Sequence, residues 1–306
     1  MSSPVGELTR ISSRDGNESP PCNGCPPDLS RSPPAGTLEF IRALQQHAYF
    51  DGPYPRAYAH RGWHVGDLAG LENTVAGFRR AVAEGFQYLE LDVRATADGV
   101  PVVHHDAILD RTTDAAGRID SMPLAAVIAA RVGGREPVPT LEQVLVELPD
   151  SRLTIELKDD RVVEPAMRLL EATGAFPRVC LGSYVEGRLQ RVREVAGDRA
   201  LTSMARRSAI ALRARAWTRR MPVVLPMRGR LAQLPRRYGR ITVIDLALLR
   251  AARRAGLEVH VWTVDLPDEM DELLDLGVDG LLSDRPDLLR DVLRRRGQWS
   301  GARPTV

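Results

Sequence analysis

What this sequence has little of narrows it first. Three cysteines in 306 residues, Cys22, Cys25 and Cys180, are too few for a disulfide scaffold and fit a reducing interior. Cys22 and Cys25 have the spacing of half a zinc site in "CNGC", but no second half follows nearby. No stretch approaches the roughly 20 apolar residues that span a bilayer. No basic start running into an apolar core marks a secretory signal, so a cytoplasmic location is the expectation. Lysine is all but missing: of the 42 basic residues only Lys158 is a lysine. Arginine and lysine are not interchangeable where a compact point charge is needed, which makes Lys158 a candidate site residue.

What is there reads as a globular α/β protein. The apolar fraction is 43% and the formal net charge is +2, as in ordinary soluble domains. Residues 1–36, rich in Ser, Pro, Gly and Asn, read as a disordered leader before one folded domain over 37–300 and a short disordered tail, 301–306. From residue 57 on, short apolar runs alternate with amphipathic stretches such as "TVAGFRRAVAEG" and "PAMRLLEATG", which end in glycine as helices do. The candidate strands are 57–60, 87–93, 101–104, 153–157, 178–182, 200–203, 222–225, 241–244, 258–264 and 280–283. This alternation predicts a parallel α/β architecture, and a (β/α)8 TIM barrel matches best in length. The runs exceed eight, so one or two belong elsewhere. "TADGV", between "LELDV" and "PVVHH", is too short for a crossover helix, so the barrel is irregular around its second and third strands. A doubly wound open sheet is the alternative.

Polar residues fall at the ends of these apolar runs. Glu90 and Asp92 are two apart in "YLELDV", and Glu156 and Lys158 repeat that spacing in "LTIELK", so each pair shares one face of its strand. Buried unpaired, such carboxylates would be costly. At the C-terminal ends of barrel strands they would instead line the active-site face. Oxygen ligands of this kind suit a hard divalent cation such as Mg²⁺ or Ca²⁺. The plainer reading pairs each carboxylate with an arginine. Four of the six histidines, His60, His64, His104 and His105, lie at or just past two predicted strand ends. His104 and His105 face opposite ways on an extended strand, so at most one points into a site. Imidazoles beside a metal suit general acid–base chemistry near neutral pH, and Arg61 adds a fork suited to phosphate oxygens.

These segments, "AHRGW", "LENT", "ELDV", "HHD", "RTTD", "IELK", "VWTVD" and "VDGLLSDRP", occur in that order over about 57–290. The chain thereby resembles the glycerophosphodiester phosphodiesterase family. The resemblance implies a barrel of the phosphatidylinositol-phospholipase-C type with one divalent cation, Mg²⁺ or Ca²⁺. It implies Glu90, Asp92 and Glu156 as metal ligands and His60 and His105 as catalytic histidines. Arg61 and Lys158 would hold the phosphate, and Glu72 would sit at the site edge as a ligand or a partner of His60. Trp262 would line the pocket for the glycerol or leaving group. The implied reaction releases glycerol 3-phosphate and an alcohol, with water or the substrate's own neighbouring hydroxyl as nucleophile. The alternatives are a lysophospholipase-D-like enzyme of the same fold and a catalytically inactive barrel used as a binding module. No nucleic acid is expected as a partner.

Two features depart from the pattern. The loop "WHVGDLAGL" is longer than a minimal connection and brings His64 and Asp67. Residues 206–240 contain eleven arginines and no acidic residue. That segment reads either as a solvated face or as a surface drawn to anionic phospholipid, where each basic residue contributes about 1 kcal/mol. Trp217 in "RARAWTRR" would suit an interfacial anchor.

Overall fold

The computed structural model describes residues 47–217 and 226–301. The predicted leader, with Cys22 and Cys25, residues 302–306 of the tail and the candidate strand 222–225 therefore lie outside the described residues. Eight parallel strands form the barrel: β1 Arg56–His60, β2 Tyr88–Ala95, β3 Arg152–Leu157, β4 Val179–Gly182, β5 Leu201–Thr202, β6 Leu231–Pro235, β7 Glu258–Trp262 and β8 Gly280–Ser283. Each pairs in parallel with its sequence neighbour from β1 to β5 and from β6 to β8, and β1 pairs with β8. A parallel bridge between Ser203 and Leu231 joins β5 to β6 and closes the ring.

A helix follows each strand: α1 Val75–Ala83, α2 Leu141–Glu147, α3 Val163–Ala172, α4 Glu186–Ala196, α5 Arg206–Trp217, α6 Leu246–Arg254, α7 Pro267–Leu276 and α8 Pro286–Arg295. Their ends follow from local chemistry. Thr74, Thr140 and Asp245 accept backbone hydrogen bonds at the starts of α1, α2 and α6, satisfying donors with no partner inside the helix. Proline opens α7 and α8, where its missing N–H is not needed.

The irregularity expected around the second and third strands is present. Pro101–Val103 folds back antiparallel onto β2, and a short helix, Leu124–Ala129, is inserted before α2. One expectation fails, and one strand lies where none is expected. Residues 241–244 are not a barrel strand: Ile241–Thr242 pairs antiparallel with Arg237–Tyr238 in a small exposed ribbon. The true sixth strand, "LAQLP", escaped because its Gln233 points inward as a polar residue, donating to Thr154 Oγ1 at 3.2 Å.

The barrel is filled from below. The 3₁₀ turn Ala48–Asp51 carries Tyr49, whose hydroxyl lies 3.0 Å from that of Tyr58 and 2.8 Å from Thr154 Oγ1. Beside it Arg56 donates to Glu258 at 2.9 Å, and Glu258 lies 2.9 Å from His260 Nε2. Burying these groups is tolerable because each finds a partner. With this end packed, the open end is the C-terminal one.

Candidate active site

Strand register assembles the site. His60 stands opposite Glu90 across β1 and β2, and Asp92 stands opposite Glu156 across β2 and β3. Arg61 (φ +57°) and Gly62 (φ +86°) then turn the chain off β1. A side chain on Gly62 would meet Phe78 at 3.0 Å and adopt a strained backbone besides. The turn brings "ENT" back over the site, and each of its residues has a task. Glu72 pairs with Arg61 Nη1 at 3.1 Å and takes two bonds from Arg111, at 3.0 and 2.7 Å. Asn73 donates to Asp92 Oδ2 at 2.9 Å. Thr74 caps α1.

Glu90, Asp92 and Glu156 each offer an oxygen within 4.8 Å of the others. Glu90 and Asp92 are buried. Burial, followed by the Asp92 charge, pushes Glu90 above the usual carboxylate range. Burial also opposes ionisation of Asp92, but Lys158, Arg61 and His105 outweigh it and hold that group low. Lys158 Nζ sits 3.0 Å from Asp92 Oδ1 and 2.7 Å from Glu156 Oε2. Arg61 Nε also lies 3.3 Å from Asp92 Oδ2, so both oxygens of Asp92 face a cation. A trio of carboxylates converging this closely on one point fits a hard divalent cation.

The histidines divide as expected of adjacent positions. His104 is buried and spent on structure: its nitrogens lie 3.0 Å from Asp106 O and 2.9 Å from Thr112 Oγ1. His105 is partly exposed, with Nδ1 2.6 Å from Asp106 Oδ1. His60 has Nδ1 2.6 Å from Asp284 Oδ1 and Nε2 3.5 Å from Glu90 Oε2. Burial lowers its pKa, but Glu90 and Asp284 outweigh that and raise it. The carboxylate beside His60 is thus Asp284, while Glu72 serves the arginines. His64 reaches the same Asp284 oxygen at 3.2 Å. Arg111 also holds Asp106, at 2.5 Å. Trp262 ends β7 at the rim, 39% exposed.

Asn73, Asp106, Arg111 and Asp284 were not singled out by the sequence reading, although "LENT", "HHD", "RTTD" and "SDRP" contain them. For Asp284, a short acidic side chain directly after the apolar strand β8 was the available signal.

The sequence model of the glycerophosphoryl diester phosphodiesterase family matches residues 60–288. The chain belongs to this family. It is 40% identical over 254 residues, 80% of this chain and 93% of the relative, to a Mycobacterium tuberculosis protein named "Probable glycerophosphodiester phosphodiesterase 2". The crystal structure of a glycerophosphodiester phosphodiesterase from Agrobacterium tumefaciens superposes with a TM-score of 0.62 at 27% identity, covering 78% of this phosphodiesterase and 99% of that chain. An Oleispira antarctica phosphodiesterase in complex with the product sn-glycerol-3-phosphate shares the fold, with a TM-score of 0.66 at 23% identity, covering 81% and 100%. Membership supports a (β/α)8 hydrolase of phosphoric diesters.

Proposed function

We propose that this phosphodiesterase hydrolyses glycerophosphodiesters to glycerol 3-phosphate and an alcohol, with His60 and His105 as its acid–base pair. The observation that carries the reading is a pair of matched carboxylate–histidine contacts beside one carboxylate trio. In each, an aspartate accepts the Nδ1 proton, at 2.6 Å in both cases. That fixes the tautomer and leaves Nε2 as the atom that takes or gives a proton. Two such groups supply what the reaction needs, a base for the nucleophile and an acid for the leaving alkoxide.

Glu90, Asp92 and Glu156 are the residues that would hold Mg²⁺ or Ca²⁺. When bound, such a cation neutralises charge on the phosphoryl oxygens. Arg61, oriented by Asp92 and Glu72, would offer its guanidinium fork to the same oxygens, and Lys158 its compact ammonium. Trp262, exposed at the rim, stands where the glycerol or leaving group would pass. The arginine-rich stretch 206–240 brings the protein to anionic lipid surfaces in this reading. Part of its charge is already matched: Arg213 pairs with Asp245, and Arg236 with Glu269 and Glu272. Among the described residues no helix is long and apolar enough to cross a membrane.

The test is hydrolysis of glycerophosphocholine and lysophosphatidylcholine with and without Mg²⁺ or Ca²⁺. Glycerol 3-phosphate from the first, dependent on the cation, is the expected result. Lysophosphatidate from the second alone would replace this reading with a lysophospholipase D, and neither product would sink it.

A further inference from the structure

The mouth of the barrel has two unlike halves. The loops after β1, β2, β3 and β8 carry the charged residues of the site. The loops after β4, β6 and β7 expose apolar side chains instead: Tyr184, Tyr238, Ile241, Leu246 and Leu266. Monomeric soluble proteins seldom group exposed apolar residues in this way without a use for them.

The ribbon after β6 is the best-defined part of this half. Tyr238 and Ile241 are directly paired partners across its two strands, so their side chains leave from the same face. They are 60% and 50% exposed. Gly239, at φ +57°, makes the tight turn between them. Arg237 and Arg240 flank the pair; both are exposed and, among the described residues, form no ion pair. The ribbon's base is fixed, because Arg236 binds Glu269 and Glu272 on α7. Leu266, 66% exposed, stands at the start of that same helix.

We infer that this ribbon, with Leu266, is a wedge that seats the barrel mouth on an anionic phospholipid surface. The inference rests on the proposed lipid-linked activity and deepens it by naming the face and the partner. Three features favour a membrane over a protein groove. The exposed apolar residues follow three different strands, β4, β6 and β7, at the same end of the barrel. The tip is a narrow tyrosine–isoleucine pair suited to the headgroup boundary. Its flanking charge is purely positive, within a segment of eleven arginines and no acids, which complements anionic headgroups. Docked this way, the charged half of the mouth faces the layer from which lipid-derived phosphodiesters come.

The test is cosedimentation of the full chain with phosphatidylcholine vesicles and with phosphatidylcholine–phosphatidylglycerol vesicles, at low and physiological salt. Wild type is expected to bind the anionic vesicles, more strongly at low salt. The double variant Arg237→Gln/Arg240→Gln should bind them about 30-fold more weakly, and Tyr238→Ser/Ile241→Ser at least tenfold more weakly. Both variants should keep wild-type turnover of soluble glycerophosphocholine and an unchanged melting temperature, since these side chains are exposed. The inference is overturned if wild type stays in the supernatant, or if the Tyr238/Ile241 variant binds as wild type does. It is also overturned if wild type dimerises in sedimentation velocity and that variant is monomeric, which would make a second copy the occupant. Failure of the activity reading shows separately, as wild type that binds vesicles but does not cleave glycerophosphocholine.

Discussion

Removing the Asp284 carboxylate is the sharpest probe of how the site is held. This side chain does not touch the carboxylate trio; it meets His60 Nδ1 at 2.6 Å and His64 at 3.2 Å. A hydrogen bond to a charged group contributes about 1.5–3 kcal/mol, which corresponds to a fall in kcat of about 10- to 150-fold for Asp284→Ala. Asp284→Asn keeps an acceptor oxygen but loses the charge. Neutral bonds are about half as strong, so its fall should be about 3- to 10-fold. KM should change little in both, because the group acts through His60.

The pH profile carries the sign. Burial lowers the His60 pKa, and Glu90 with Asp284 raises it beyond that, so removing one of these negative neighbours moves the His60 limb of kcat/KM to lower pH. Steady-state kinetics on glycerophosphocholine from pH 5 to 9 measures all of this. The decisive control is the same substitution in a His60→Ala background, where it should have almost no further effect. An equal loss in both backgrounds would refute the argument, as would Asp284→Ala with wild-type kcat.

Other outcomes follow from the same geometry. His60→Ala and His105→Ala should each lower kcat by about 10² or more, while calorimetry shows cation binding retained; near-normal turnover in either removes that histidine from the mechanism. Glu156→Gln should move the midpoint of the Mg²⁺ or Ca²⁺ titration up by about tenfold or more, and an unmoved midpoint strikes it from the ligand set. Arg111→Gln should cut kcat without altering cation affinity, with Arg111→Lys partly restoring it. The Arg111 guanidinium holds Asp106 below the usual carboxylate range, and at Glu72 it outweighs an opposing effect of burial. A depressed folded-state pKa adds stability that is present above the unfolded value near 4 and lost as pH falls below it. The melting temperatures of wild type and Arg111→Gln should therefore differ at pH 6, and the gap should narrow progressively as pH falls below about 4 towards the depressed folded-state values.

The sequence exposed faces, but not partners. Spacing alone placed Glu90 with Asp92 and set Glu156 beside Lys158, because alternation along a strand is local. It could not show that Lys158 bridges Asp92 to Glu156, which needs the β2–β3 register. Nor could it join His60 to Asp284, 224 residues apart, since that contact exists only once β8 closes against β1. The sixth strand hid for a related reason: Gln233 and Thr154 satisfy each other inside the barrel, so the strand does not need to be uniformly apolar. The opposite error came from 241–244, an apolar run whose first residue, Ile241, turns out to be exposed.

The charge balance of the assembled site ties these elements together. Arg61, Arg111 and Lys158 face six carboxylates, those of Glu72, Glu90, Asp92, Asp106, Glu156 and Asp284. A phosphodiester brings one more negative charge, so with neutral imidazoles the site would repel its substrate. Two of the six carboxylates sit on imidazoles, and His60, whose pKa Glu90 and Asp284 raise against the effect of burial, offsets its partner directly when it gains a proton. The other excess is concentrated at Glu90, whose pKa is raised by burial and then by the neighbouring Asp92 charge. Substrate affinity should therefore rise with divalent cation concentration and fall as pH climbs past the raised pKa of His60. Substrate binding indifferent to both, measured with the His105→Ala variant to suppress turnover, would mean that another source of positive charge serves this site.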